Sequence, residues 1–76
     1  MTQKSNQKPT KQLSAKDRVI LEKNDLCKKL LKLEQFLVSE TFRTLSSKMQ
    51  SLLQDQYDIM AAYIRILDAR LAIWED

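Results

Sequence analysis

Between residue 52 and residue 74 the chain repeats itself every seven residues, twice over. Leu52, Ile59, Ile66 and Ile73 form one such series, and Leu53, Met60, Leu67 and Trp74 form another, offset by one position. A seven-residue apolar period belongs to a helix, because a half-buried strand repeats every two residues. The pattern is regular from Met49 and meets no helix stop before the end of the sequence. It predicts a helix of about 28 residues, roughly 40 Å long at 1.5 Å per residue. The two series lie about 100° apart on that helix, and with Ile64 and Leu71 they cover an apolar arc of about 200°. A surface helix in a globular protein needs a stripe of only a little over 100°.

The upstream half supplies one helix to cover part of that arc. Ser14 opens it, with Ser14-x-x-Asp17 in the pattern of a capping box. Val19, Leu26, Leu30, Leu33 and Leu37 follow on one side, and Ile20, Cys27, Leu31 and Val38 form a second apolar row. Cys27 lies inside the second row and reads as a small core hydrophobe. Ser39-Glu40-Thr41 breaks the pattern, and Phe42 and Leu45 suggest a short helical turn after it. Phe36, Phe42 and Leu45 are then placed to plug the end of a hairpin. The second helix starts after Ser46 or Ser47; both are suitable caps, and Ser47-x-x-Gln50 has capping-box spacing.

The fold class is therefore all-α: a helical hairpin of two long helices with a short helical turn between them. Glycine is absent from all 76 residues, which argues against tight β-hairpin turns. The length allows one domain at most, and the chain is expected to divide into a disordered, lysine-rich tail over residues 1–13 and a helical hairpin domain over residues 14–76. The tail is disordered on this reading because after Met1 it has almost no apolar surface to repay ordering. One upstream helix covers one stripe's width, so Leu52, Ile59, Ile66 and Ile73 are left as an oligomer interface. Two hairpins joined as a C₂ four-helix bundle are the simplest homo-oligomer, a dimer, and higher assemblies are open. The competing expectation is that the first helix and the Phe36–Leu45 turn wrap the second helix more fully.

Several chemistries are excluded by what the chain lacks. Without histidine it has no Ser/His or Cys/His pair, and without glycine it has no phosphate-cradling loop. One cysteine and no imidazole make neither a disulfide nor a zinc site. No catalytic residue, metal ligand or cofactor site is expected, and the protein reads as non-enzymatic. No stretch matches a secretory signal or a membrane span, so the expected location is the cytoplasm.

The net charge of +3 is unevenly placed: residues 1–16 carry four lysines and no acid, and the rest of the chain sums to −1. Lys28, Lys29 and Lys32 form a basic cluster on the first helix. They are a solvated face with Asp25 beside them, or possible phosphate contacts if the protein binds nucleic acid.

One line of the second helix is polar. Gln56, Tyr63 and Arg70 are spaced by seven residues, with Met49 at the head of the row. Treated as interior groups, an amide, a phenol and a guanidinium need partners. Two readings are open. They satisfy one another, Asp17, Glu22 or a second copy and so fix register, or they present a cleft to a small anionic or nucleotide-like ligand or to a partner. Tyr57 sits on the far shoulder of the apolar arc, Trp74 caps the bundle end or anchors a partner, and Asp55 and Asp58 read as a solvated face.

Lys32-Leu33-x-x-Phe36-Leu37, Phe42-x-x-Leu45-Ser46 and Leu52-Leu53-x-x-Gln56-x-x-x-Met60-x-x-Tyr63-x-x-x-Leu67-x-x-Arg70 together carry a resemblance. Over about residues 18–71 the chain resembles a family of small phage and prophage proteins, named after a crAss-like phage open reading frame and without an assigned activity. The resemblance implies a phage accessory protein with a compact helical fold, acting in the host cell cytoplasm. The resemblance further implies a protein that counters host defence by stoichiometric binding, either by sequestering a signalling nucleotide or by occupying a host defence protein. Two other functions are compatible with the residues: a nucleic-acid-associated accessory protein using the basic tail, and a coiled-coil component of a virion or regulatory complex.

Overall fold

A computed structural model describes residues 13–75. The tail expected over residues 1–13 lies, apart from Leu13, outside the described residues, as does Asp76. Three helices follow in order: α1 (Ala15–Leu37), α2 (Glu40–Arg43) and α3 (Ser47–Ala72). The two long helices pack against each other as a hairpin, and no strand occurs among the described residues.

Each helix begins where a side chain supplies the acceptor its first amides need. Ser14 caps α1 through a complete capping box, its Oγ accepting from the Asp17 amide at 3.1 Å while the Asp17 carboxylate accepts from the Ser14 amide at 3.4 Å. The Ser39–Thr41 break has its own chemistry. Ser39 Oγ donates to the Phe36 carbonyl at 2.7 Å and accepts from the Phe42 amide at 3.2 Å, so one hydroxyl closes α1 and opens α2. Ser46 is the cap of α3, its Oγ accepting from the Met49 amide at 3.1 Å. That settles the choice between Ser46 and Ser47. α3 ends at Ala72, earlier than the sequence pattern suggests. The Ile73 amide donates to the Ala69 and Leu71 carbonyls in a tightened last turn.

The core is small. Val19, Phe42 and Leu67 are its buried apolar residues, and Leu67 has no exposed surface. Leu26, Leu30, Leu33 and Leu37 of α1 are half-buried, as are Leu53, Met60, Ile64 and Leu71 of α3. Phe36 and Phe42 close the hairpin end edge to face, their ring centroids 6.1 Å apart and their planes at 86°. Leu45 beside them is half-buried.

The second row of α1 departs from expectation. Cys27, Leu31 and Val38 are exposed and Ile20 is only half-covered, so Cys27 is not a core residue. The reason is geometric. One neighbouring helix meets one stripe, and here that stripe is the Val19–Leu37 row. Periodicity groups residues onto a face without saying which of two faces meets the partner.

Candidate functional site

The outer side of α3 carries an exposed apolar ladder. Leu52 is 56% exposed, Ile59 68%, Ile66 58% and Ile73 78%. α1 reaches the Leu53–Met60–Leu67 side of α3 and leaves this ladder to solvent. The more complete wrapping that would have covered it does not occur. An open groove of ≈ 430 Å³ runs along the ladder, lined by Ile59, Ala62, Tyr63, Arg65, Ile66 and Ala69.

The polar edge borders this ladder, but its members are not interior groups. Gln56, Tyr63 and Arg70 are all exposed, and so is Met49 at the head of the row. They can be exposed because their row lies at the margin of the α1 contact, where a single helix leaves room for water. Gln56 Nε2 donates weakly to the Met60 thioether at 3.9 Å. Tyr63 donates its hydroxyl to the Glu22 carboxylate on α1, one of the two acids its position made available. That hydrogen bond holds the phenol above its ordinary pKa of 10.0; desolvation and the Glu22 charge push the same way, and the Arg70 guanidinium opposes them. Tyr63 and Arg70 thus share one electrostatic environment, whereas Gln56 is turned to its own helix.

Arg70 also lines a second groove of ≈ 430 Å³, at the C-terminal end of α3, with Ile73, Trp74 and Glu75. A guanidinium beside a half-buried indole provides a charged fork for a phosphate or carboxylate and an aromatic surface for a planar group. The seven-residue spacing shows only the row Arg70 belongs to. That Trp74 lines the same groove depends on the helix ending at Ala72.

On the opposite edge of the hairpin, Lys23 Nζ meets the Asp68 carboxylate at 2.5 Å. This pair raises the Lys23 pKa above 10.5, chiefly through its hydrogen bond. Lys23–Asp68 and Tyr63–Glu22 therefore join α1 to α3 along both margins of the core. Lys28, Lys29 and Lys32 are exposed on α1, with Asp25 exposed as well, and Asp55 and Asp58 are exposed on α3. Tyr57 is half-buried. Among the described residues no three His, Cys, Asp or Glu side chains come together to hold a metal ion, and no helix is long and apolar enough to cross a membrane.

The sequence-missed residue is Gln50. Its Nε2 donates toward the carbonyls of Phe42 at 3.1 Å, Leu45 at 3.0 Å and Arg43 at 3.4 Å. The side chain ties α3 to the carbonyls at the end of α2 and in the turn after it instead of completing a capping box with Ser47. It fixes the path by which the chain enters α3, and so the rotation at which α3 presents its ladder.

A family model described as Sequestin matches residues 13–73. The chain belongs to the Sequestin family. No curated protein matches it, and no solved structure does. The family match extends from the residue before the α1 cap to the residue just after α3, and it takes in Gln56, Tyr63, Arg70 and all four rungs of the exposed ladder.

Proposed function

We propose that this Sequestin family member is a non-enzymatic, self-associating accessory protein of phage origin that acts by stoichiometric binding, countering a host defence by sequestering a signalling nucleotide in the host cytoplasm. The observation that carries the proposal is the placement of exposed Arg70 in a groove with Trp74, next to the uncovered Leu52–Ile73 ladder. Contiguous apolar surface of this kind is uncommon on a protein that stays monomeric. A guanidinium and an indole at its border suit the phosphate and the base of a nucleotide. The family's descriptive name agrees with a capturing role, and the phage origin rests on the resemblance described above.

Native mass spectrometry of the protein purified from cells in which it is naturally expressed tests both halves together, since it reads copy number and any retained small molecule. Oligomers carrying a nucleotide mass are the expected result. Calorimetry with mono- and dinucleotides should then show binding by the wild type and its loss in Arg70→Ala, with helical circular dichroism unchanged. A micromolar monomer removes the self-association; nucleotide binding unaffected by Arg70→Ala removes the assigned site.

A further inference from the structure

The charges that flank the exposed ladder are specific enough to assign the ladder's partner. We infer that a second copy of this chain packs α3 against α3 antiparallel, in the register that sets residue i beside residue 121 − i. This inference rests on the self-association proposed above and adds its polarity and register.

Along the outer side of α3 the seam residues alternate between Leu52, Ile59, Ile66 and Ile73 and the intervening Asp55, Ala62 and Ala69. In the inferred antiparallel pair Leu52 and Ile59 face Ala69 and Ala62 on the other helix, Ile66 faces Asp55, and Ile73 falls beside Lys48. Ile59 then packs on the second copy's Ala62, and Leu52 on its Ala69, with the same contacts repeated by symmetry. Large residues against small ones let two helices approach closely, and the Ile59–Ala69 groove is the space in which they would do so.

Asp58 and Arg65 select among the possible registers. Both are exposed on one flank of the seam. In the inferred register Asp58 of each copy meets Arg65 of the other, and each Arg65 also comes level with the second copy's Asp55. The carboxylate that interrupts the apolar seam thereby gains a cation. Sliding the pair by one heptad sets Arg65 against Arg65 in one direction and Asp58 against Asp58 in the other. Parallel pairing sets Asp55 on Asp55 and Arg65 near Arg70. Like charges so placed disfavour each of these alternatives.

The other flank brings the polar edges together. Tyr63 of each copy falls beside Gln56 of the other, and Arg70 beside Met49. The row that is only a margin on one hairpin becomes a doubled strip shared by two chains.

Sedimentation equilibrium of the wild type, Asp58→Arg, Arg65→Asp and the double reversal tests the register. These side chains are exposed on the hairpin, so circular dichroism should show every variant folded. Each single reversal should weaken the dimer by roughly tenfold or more, and the double reversal should recover part of the loss. A monomeric wild type overturns the self-association itself. A wild-type dimer that Arg65→Asp leaves unchanged or tightens overturns the antiparallel register while the self-association stands. Spin labels decide polarity independently: in a Cys27→Ser background, labels at Ser51→Cys should lie about 29 Å apart, from nineteen residues of helical rise. A separation near about 10 Å would mean parallel helices and sink the inference.

Discussion

Leu67→Ala and Ile66→Ala change neighbouring residues that serve different contacts, and comparing them separates the hairpin's stability from its assembly. Leu67 has no exposed surface, so truncating it removes packing on every side and leaves a cavity between α1 and α3. Such a change costs about 2–5 kcal/mol. A core in a chain of this size supplies only about 3–5 kcal/mol, so Leu67→Ala should bring the isolated hairpin close to its unfolding midpoint. Ile66 is 58% exposed. Removing three carbons that are about two-fifths covered costs about 1 kcal/mol, taking about 0.8 kcal/mol per fully buried methylene. The exposed remainder of Ile66 matters only once a second surface lies against it. Thermal unfolding followed by circular dichroism, over roughly a hundredfold range of concentration, reads both effects. Leu67→Ala should lower the midpoint at every dilution. Ile66→Ala should lower it by about 4–8 °C at high dilution and lose the upward drift with concentration that an assembling wild type shows. A Leu67→Ala protein that melts within a few degrees of wild type at all concentrations would refute the described core. An Ile66→Ala protein that keeps the full concentration dependence would refute the role of the ladder.

Two further outcomes follow from the margins of the hairpin. The hydrogen bond to Glu22 favours the neutral phenol of Tyr63, so its stabilising effect is fully present below pH 10.0 and is lost as pH rises through the raised folded value. Lys23 acts in the same direction from 10.5 upward, where its ammonium and hence its pairing with Asp68 disappear. Tyrosinate absorbance should therefore show a phenol titrating above 10.0 that moves down toward the ordinary value in Glu22→Gln; an unchanged titration would remove the contact. Gln50→Ala should cost about 1 kcal/mol by removing the side-chain donor to the Phe42 and Leu45 carbonyls, and Gln50→Glu should cost more because a carboxylate would face those carbonyls. If Gln50 instead served a capping box, Gln50→Glu would raise the thermal midpoint by favouring the N-terminus of α3.

What could be read from the sequence was local. The caps at Ser14 and Ser46, the break at Ser39 and the helical turn around Phe42 depend on groups within four residues of one another, and such chemistry is visible in order along the chain. The Phe36–Phe42 plug was legible as well, because both rings flank the break that must be closed. Cys27 was not. It shares a real apolar row with Ile20 and Leu31, but only the three-dimensional pairing of α1 with α3 shows that this row is left outside. Gln50 was missed for a related reason: its acceptors lie in α2 and the turn after it, and its spacing from Ser47 suggested a nearer task. For the polar edge the row itself and one of its partners, Glu22, were legible, but its place between two apolar series pointed wrongly to the interior. A row between two apolar faces is buried only if both faces are covered by the same neighbour. Here α1 covers one.

The uncovered face and the polar edge have a joint consequence. In the antiparallel pair inferred above, Tyr63 and Gln56 from different copies stand side by side, so a ligand lying along that strip touches both chains. Such a ligand binds the dimer more tightly than the monomer. By the reciprocity of linked equilibria it must then tighten the dimer by the same factor. A small core, an apolar ladder left open and a charged fork at its margin are unfavourable in a hairpin that acts alone. They make physical sense in a chain that completes its fold against a copy of itself and can use its captured molecule to hold the two together.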